Sequence, residues 1–448
     1  GSRLREGDFV GAEYQLGQIL ELTSSDRARG WRIVISLLVP ASDHVRANKV
    51  LDNLLQDFGA GSSVEALFAR SQFAARTGDM DEASDFIEQA IALEPARSDL
   101  LAWSGRLALN MGNGERALER FRQAWEADKS DAQVAMSYAE LLKRNDDPAG
   151  GQAVLAQLPD SPEMRFARIV FALDADDRAS AERLYLGFSD DRYAEIPGAA
   201  FHAAQSAELL EHQRDAIEWY GQVTGEQSTR ATLRKALLLA GLGDIEEGRN
   251  LLARLRTHTD QTVKSQSYQA EAQILQEARR REEAMQVLNE AVKALPRDMA
   301  LQYMRALLAV GLGQLELAEE DLRHIISVEP DNAAAINALG YTLADLTDRF
   351  EEAEQLIQQA YQMRPLDPSI IDSMGWISYR LGRMSDAEDY LREAWDLMRN
   401  AEIAAHFGEV LWVNGHKEEA RAIWEHGTRI DSENEILINT LKRFGELP

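Results

Sequence analysis

Histidine is the side chain most often used for metal binding and general base catalysis, and this chain of 448 residues contains eight. A zinc hydrolase site of the H-E-x-x-H kind needs two histidines four residues apart on one helix, because that spacing places both rings on one face. None of the eight histidines stands in such a pair. The chain contains no cysteine, which excludes disulfides, thiolate ligands and cysteine nucleophiles. The sequence therefore predicts no metal site.

Carboxylates are the second kind of group that could perform chemistry, and several occur as adjacent pairs. These pairs include Asp146-Asp147, Asp176-Asp177, Glu319-Glu320 and Glu351-Glu352. A general acid and its base must be held about 5 to 10 Å apart in a pocket, whereas these pairs fall in turns or at helix starts, where they complement the helix dipole. The sequence also lacks a G-x-x-x-x-G-K-[ST] phosphate loop and a G-x-S-x-G nucleophile elbow. We therefore predict that the protein is not an enzyme and binds no cofactor.

The charge and hydropathy of the chain limit the partners that it could bind. It carries 48 basic and 75 acidic residues, a formal net charge of -27. This excess disfavours a nucleic-acid partner, because binding to phosphates requires clustered Lys and Arg. The longest aliphatic run, Ile33–Val39, is far shorter than the roughly 20 residues that span a bilayer. We expect neither nucleic acid nor a membrane-spanning helix, which leaves protein surfaces as the candidate partners.

A repeated pattern of small residues predicts the helices that position the side chains of this chain. Alanine recurs at a spacing close to 34 in two runs, which are Ala83 and Ala117, then Ala284, Ala318, Ala353, Ala387 and Ala420. Glycine stands five residues before most of these anchors, where it suits the left-handed turn that ends one helix before its partner begins. Proline stands twelve residues after several anchors and stops the second helix. The pattern predicts a stack of paired helices.

The clearest copy of the pattern, residues 336–365, reads INALGYTLADLTDRFEEAEQLIQQAYQMRP. It resembles the 34-residue tetratricopeptide repeat, whose residues follow the order aromatic, Leu, Gly, Tyr, Ala, Phe, Ala, Pro. The resemblance implies an all-α, right-handed superhelical solenoid of about twelve helix-turn-helix repeats. The segment Glu433–Phe444 is predicted to form a C-terminal capping helix, because terminal repeats need a polar outer face.

Extending the register outward gives further anchors at Ala12, Ala47, Gly150, Ala181, Ala216 and Gly248. This register predicts four regions of one continuous solenoid. They are N-terminal repeats over residues 1–145 with a truncated first repeat, irregular central repeats over 146–232, C-terminal repeats over 233–432, and the capping helix with its tail over 433–448. In the central region the spacing drifts and prolines interrupt the helices. Either the superhelix changes pitch there or the register slips.

The repeat resemblance also implies which side chains face a partner, because the first helix of each repeat lines the concave wall. On the C-terminal repeats this rule selects five aromatic residues: Tyr303, Tyr341, Trp376, Tyr379 and Trp412. Aromatic side chains dominate binding hot spots, since they bury large rigid areas at little entropic cost. A mixed, mostly acidic rim would surround them, formed by Asn337, Asp345, Asp372, Arg380 and Glu409. The alternative is that the aromatic residues pack between neighbouring helices.

A narrower resemblance rests on the acidic repeat array and on segments such as NALGYTLAD (337–345) and DSMGWISYRLGR (372–383). These features are similar to the large tetratricopeptide lipoproteins of Gram-negative bacteria. That resemblance implies a lipid anchor on an N-terminal cysteine, outside this sequence, and a location at the periplasmic face of the outer membrane. It also implies an adaptor that binds a PDZ-containing carboxyl-terminal processing serine protease, presents cell-wall hydrolases to it and so promotes their degradation.

Two other functions fit the same pattern. An assembly scaffold for envelope polysaccharide or lipopolysaccharide machinery would use the same wall, in the periplasm or in the cytoplasm. The repeats would also suit the regulatory array of a glycosyltransferase whose catalytic domain lies outside this sequence. An upstream lipobox would favour the lipoprotein, whereas an upstream Rossmann-like domain would favour the enzyme.

Overall fold

The computed structural model describes residues 8–23, 27–40, 43–58 and 63–446. Within these residues the chain forms α-helices joined by turns and contains no β-strand. The all-α fold that the repeat pattern predicts is confirmed. Contacts divide the chain into two compact units, Gly1–Gln227 (unit 1) and Ser228–Pro448 (unit 2).

Each unit contains thirteen α-helices in its described part. Those of unit 1 are α1 (Phe9–Leu22), α2 (Arg27–Leu38), α3 (His44–Phe58), α4 (Val64–Thr77), α5 (Met80–Leu93), α6 (Ser98–Asn110), α7 (Gly114–Ala127), α8 (Ala132–Arg144), α9 (Pro148–Leu155), α10 (Pro162–Asp174), α11 (Arg178–Leu186), α12 (Ala199–Leu209) and α13 (Gln213–Gln222). Those of unit 2 are α14 (Ser228–Gly241), α15 (Ile245–Leu255), α16 (Gln261–Glu277), α17 (Arg281–Ala294), α18 (Met299–Gly311), α19 (Leu315–Val328), α20 (Ala333–Leu346), α21 (Phe350–Met363), α22 (Pro368–Arg380), α23 (Met384–Leu397), α24 (Ala401–Val413), α25 (Lys417–Ile430) and α26 (Glu435–Phe444).

From α4 onward the described helices pair into eleven consecutive hairpins, α4–α5 through α24–α25, each with a first and a second helix. The seven anchor alanines of the two sequence runs lie in second helices and are fully buried. A small residue is required there because the second helix crosses close to the backbone of the first. At Gly248, for example, an added Cβ would lie 2.6 Å from the carbonyl oxygen of Ala236. The 34-residue period therefore records a steric contact that recurs in each repeat.

The turn between the two helices of a hairpin explains the recurrent glycine. Gly78 and Gly415, for example, have φ angles of 98° and 91°, in the left-handed region that favours residues without a Cβ. The next residue often begins the second helix as its N-cap, as Asp79 does by accepting a hydrogen bond from the Glu82 backbone N–H. Turn and cap together set where each second helix starts.

The sequence register is wrong by one residue at α9. Anchor residues stand four positions after the N-cap of the second helix, and the N-cap of α9 is Asp147. Gly151, not the predicted Gly150, therefore occupies the anchor position. An added Cβ at Gly151 would lie 2.9 Å from the carbonyl oxygen of Ala139 in the first helix, whereas at Gly150 it would meet only the Asp147 side chain. Of the two alternatives for the central region, a register slip is present at this point.

Short second helices and an irregular segment mark the rest of the central region. Helices α9 and α11 have 8 and 9 residues, and two 3-10 turns, Gly187–Ser189 and Asp191–Tyr193, follow α11. The buried Arg165 holds this segment in place, because its Nε donates to the Tyr193 hydroxyl at 3.0 Å and its Nη1 donates to the Leu184 carbonyl at 2.8 Å. Tyr193 in turn donates to Asp160 at 2.5 Å. Hydrogen bonds around the buried Arg165 thus hold the irregular segment that joins the α10–α11 hairpin to the α12–α13 hairpin.

The predicted capping helix is present as α26, but it begins two residues later than expected. Asn434 is its N-cap and accepts a hydrogen bond from the Leu437 backbone N–H at 3.0 Å. Leu437 and Leu441 are buried against the last hairpin, while Lys442 is exposed. No described helix is both long and apolar enough to cross a membrane.

Candidate functional site: the inner wall of unit 2

The first helices of unit 2 form a continuous layer. Each of α14, α16, α18, α20, α22 and α24 packs directly against the first helix of the next repeat, and α24 packs against α26. Neighbouring second helices make fewer direct contacts than neighbouring first helices do. The first helices therefore converge, as expected for the inner side of a curved stack. We call the side of α18, α20, α22 and α24 that carries the five predicted aromatic residues the inner wall.

A buried histidine connects three of these helices. His406 on α24 lies with its Nε2 3.1 Å from the Tyr341 hydroxyl of α20. Its Nδ1 lies 2.9 Å from Oδ2 of Asp372 on α22. The imidazole also stacks on Trp376, with ring centroids 4.3 Å apart. One side chain thus fixes the positions of two predicted aromatic residues and one predicted rim carboxylate.

The charge of this histidine follows from its surroundings. Burial is the largest single influence and opposes protonation, but the charge of Asp372 and its hydrogen bond, together with the charges of Glu402 and Asp345, outweigh it. They raise the pKa of His406 to about 8. Burial also raises the pKa of Glu402 above its usual value. The cluster therefore favours a protonated imidazole in the folded protein near neutral pH.

The order Tyr341, His406, Asp372 has the composition of a nucleophile, a base and an orienting acid. An activated nucleophile requires a lowered pKa, but burial raises the pKa of the Tyr341 phenol well above its usual range. Two nearby carboxylates, Asp345 and Glu402, add to this effect. The arrangement is therefore suited to holding a proton and joining helices, and it does not activate the tyrosine.

Trp376 lies inside this cluster. Only 5% of the residue is exposed, its Nε1 donates to Oδ1 of Asp345 at 3.2 Å, and its ring centroid lies 5.3 Å from that of Tyr379. The structure thus places Trp376 in the packing between helices that was the alternative to partner contact. The role of the five aromatic residues in binding stays a prediction.

Tyr379 links the wall to the C-terminal helix. Its hydroxyl donates to Oε1 of Glu409 at 3.2 Å, and the other oxygen of Glu409 pairs with Arg443 on α26. Burial, followed by the charge of Glu409, raises the pKa of Tyr379 to about 12. Burial also raises the pKa of Glu409, although Arg443 opposes that rise. These contacts fix the capping helix against the last repeat.

Trp412 belongs to a separate aromatic cluster at the end of the chain. Its ring lies 5.5 Å from Trp424 and 5.9 Å from Phe444. Lys417 and Arg421 lie over the same ring, 4.8 and 5.1 Å from its centroid. Trp412 is half-buried, and the two cations over its ring occupy a position that favours cation–π attraction.

The open part of the wall combines apolar and acidic groups. Leu307, one repeat before Tyr341 in the register, is 47% exposed, and Val413 at the end of α24 is 50% exposed. Tyr303 on α18 is half-buried, and so are the carboxylates Asp345 on α20 and Glu402 on α24. This surface offers apolar contacts next to negative charge.

His406 and Glu402 belong to the site although their spacing matches no catalytic or metal-binding motif. A usable signal exists in the sequence: Glu402, His406 and Glu409 stand at i, i+4 and i+7, so they share one face of a first helix. Two carboxylates and a histidine on one helical face indicate a coupled charged cluster.

Sites of other kinds are not evident in the described residues. They contain no group of three His, Asp or Glu side chains suited to a metal ion. Unit 1 has a cavity of about 730 Å³ beside the irregular segment, lined by aromatic rings such as Trp219 and Phe201 and by carboxylates such as Glu163 and Glu195. Nothing in this cavity pairs a nucleophile with a base.

Two stretches of the chain match family profiles described as tetratricopeptide repeat, residues 74–141 and residues 303–368. The chain carries tetratricopeptide repeats. The second stretch begins within α18, at Tyr303, and ends at Pro368, the first residue of α22, so it contains α19, α20 and α21 in full. Repeats of this kind usually act as surfaces for protein binding.

Similar proteins include the TPR repeat-containing protein PA4667 of Pseudomonas aeruginosa, which is 41% identical over 216 residues. That match covers 48% of this chain and 36% of the relative, so the matched region is about a third of the relative's length. The Drosophila melanogaster protein O-mannosyl-transferase Tmtc1 is 31% identical over 150 residues, 32% of this chain and 16% of that protein. Among solved structures, yeast Tom70 is 14% identical, with 94% of this chain and 95% of that chain covered and a TM-score of 0.45.

Proposed function

We propose that the chain is a non-catalytic adaptor that binds a protein partner on the inner wall of unit 2. The observation that carries the proposal is the open surface on converging first helices, where exposed Leu307 and Val413 lie in the same layer as half-buried Tyr303, Asp345 and Glu402. Exposed apolar side chains beside fixed charges are typical of binding surfaces. We expect the bound segment to combine apolar and basic side chains.

We further propose that the partners are a carboxyl-terminal processing serine protease and the cell-wall hydrolases that it degrades. Support comes from the resemblance of the repeat segments to the tetratricopeptide lipoproteins of Gram-negative bacteria, and from the 41% identity to a Pseudomonas repeat protein. On this proposal the chain acts at the periplasmic face of the outer membrane, held by a lipid anchor outside this sequence. A cytoplasmic location remains the alternative.

The adaptor needs no catalytic group of its own. A protease and a substrate bound to one scaffold meet at an effective concentration of up to about millimolar. Faster degradation then follows from co-localisation, without a contribution to the chemical step.

A second candidate is the regulatory repeat array of a glycosyltransferase. The observation that favours it is the 31% identity to a protein O-mannosyl-transferase over 150 residues. A glycosyltransferase domain encoded next to these repeats in the full-length gene would support this candidate over the protease adaptor. An envelope assembly scaffold would use the same surface as the adaptor.

Binding to the purified protease tests the adaptor proposal on this surface. Leu307→Asp places a charge on the exposed part of the wall, and we expect a loss of about 2 kcal/mol or more in binding, which is roughly thirtyfold in Kd. Val328→Asp is the matched control, because Val328 is 55% exposed at the end of a second helix. Equal Kd values for the two folded variants would place the binding surface elsewhere.

A further inference from the structure

Two ion pairs join parts of unit 2 that are far apart in the sequence. Arg279, in the turn between α16 and α17, pairs with Glu433 before α26 at 3.0 Å. Arg281, at the start of α17, pairs with Glu435 at the start of α26 at 2.8 Å. These partners are 154 residues apart. The four intervening hairpins therefore bring the two ends of this stretch back together.

The backbone at Arg279 differs from that of the neighbouring turns of unit 2, although Asp146, Asp176 and Glu211 adopt the same conformation at the equivalent turns of unit 1. The corresponding turn residues of the neighbouring repeats are glycines with positive φ, such as Gly243 and Gly313. Arg279 adopts a φ of 59° without being a glycine, a conformation that L side chains rarely take. In the described part of unit 2 it is the one non-glycine residue with positive φ. A side chain is thus present where a glycine would relieve backbone strain, and it reaches the partner across the gap.

We infer that these two ion pairs form a charge clasp that closes unit 2 across its inner wall and opens reversibly. All four side chains are solvent-accessible, and a cavity of about 820 Å³ lies between the two ends, lined by Gln276, Ser432 and Lys442 among others. Few apolar groups line this gap, so the charges are the main attraction that holds it closed.

The energetics of exposed ion pairs make the clasp adjustable. Each such pair contributes little, so loss of one pair shifts the closed-to-open ratio by up to about fivefold. Salt weakens the pairs further, because the screening length falls from about 10 Å at 0.1 M to about 3 Å at 1 M. When the clasp is closed, a partner segment reaches the inner wall only by threading, whereas an open clasp admits a folded partner. This consequence for partners rests on the proposed function, whereas the clasp itself does not.

Spin labels on the intact chain test the clasp directly. The chain has no cysteine, so Glu282→Cys and Asn439→Cys introduce unique labelling sites on the two sides of the gap. Pulsed electron paramagnetic resonance should show a short-distance population in 50 mM NaCl that loses about fivefold in its ratio to the long-distance population in 1 M NaCl. Arg279→Glu should cause the same loss, and the charge swap Arg279→Glu with Glu433→Arg should restore the short distance.

Two further variants separate the clasp from general destabilisation. Arg279→Gly removes the charge and relieves the positive-φ strain, so we expect it to open the clasp while helicity and Tm stay unchanged or rise. Arg323→Glu disrupts exposed pairs between second helices and should leave the label distance unchanged. A distance distribution that stays the same at both salt concentrations and in every Arg279 variant would overturn the inference. The absence of a short-distance population at any salt concentration would also overturn it.

Discussion

Replacement of His406 by glutamine should remove a pH dependence from the stability of the inner wall. The pKa of His406 is about 8 in the folded protein against 6.5 for an unperturbed histidine. At about 1.4 kcal/mol per pH unit, this difference corresponds to about 2 kcal/mol in favour of the folded state when the ring is protonated. Because the folded pKa is the higher one, this stability is fully present below pH 6.5 and is lost as the pH rises through 8.

Neighbouring carboxylates change stability in the same direction. Burial raises the pKa of Glu402 and of Glu409, so their ionisation also costs stability as the pH rises above about 4.5. Comparison of the wild type with His406→Gln isolates the histidine, since the carboxylates are present in both. Glutamine also leaves a polar group in contact with Asp372, which limits the loss of packing.

Hydrogen–deuterium exchange on peptides from α22 and α24 is the appropriate assay, because a repeat array opens locally and a single global transition does not describe it. After correction for the intrinsic exchange rate, the wild-type opening free energy should fall by about 2 kcal/mol between pH 6.5 and 9. In His406→Gln this slope should be strongly reduced, and in the exposed control His44→Gln it should persist. Equal slopes in the wild type and His406→Gln would refute the reasoning.

Two further substitutions test the packing. Gly248→Ala should destabilise unit 2 by about 1 to 3 kcal/mol, because its Cβ would meet the Ala236 carbonyl at 2.6 Å, whereas Gly241→Ala, with open space around it, should stabilise by up to about 1 kcal/mol. Hydrogen–deuterium exchange on peptides from α14 and α15 measures the difference, and equal opening free energies for the two variants would contradict the close-contact account. Trp376→Ala should lower stability by about 3 to 5 kcal/mol, since the ring is buried against His406. Loss of partner binding with full stability would instead show that Trp376 faces a partner.

The fold could be predicted from the sequence because one steric contact recurs in each repeat. The anchor alanines mark the point where two helices cross, and their spacing reports the repeat length directly. The register failed at α9, where two adjacent glycines, Gly150 and Gly151, satisfied the same requirement. There the N-cap Asp147 determines that Gly151 is the anchor residue. The sequence alone does not show which residue is the N-cap, because that depends on where the helix begins.

The candidate site could be predicted only in part. Helical position predicted that Tyr341, Trp376 and Asp372 share one layer of first helices, and in the structure all three contact His406. It could not reveal that His406 covers the Trp376 ring, because that contact joins residues of different repeats and depends on the packing of α22 against α24. The same limit applies to Glu409, whose charge is paired by Arg443 from the capping helix. The sequence of one helix predicts which side chains share a face. Which of those side chains remain exposed depends on the helices of neighbouring repeats that pack against them.

We propose above that this chain accelerates protein degradation by binding a protease and its substrate, without catalysing a reaction itself. The most direct measurement is the rate at which a purified carboxyl-terminal processing protease degrades a cell-wall hydrolase, with and without the chain. The account predicts no hydrolysis by the chain alone, faster degradation when it is added to the protease, and loss of that acceleration in Leu307→Asp but not in Val328→Asp. Hydrolysis by the chain alone, or an unchanged rate in its presence, would contradict the account.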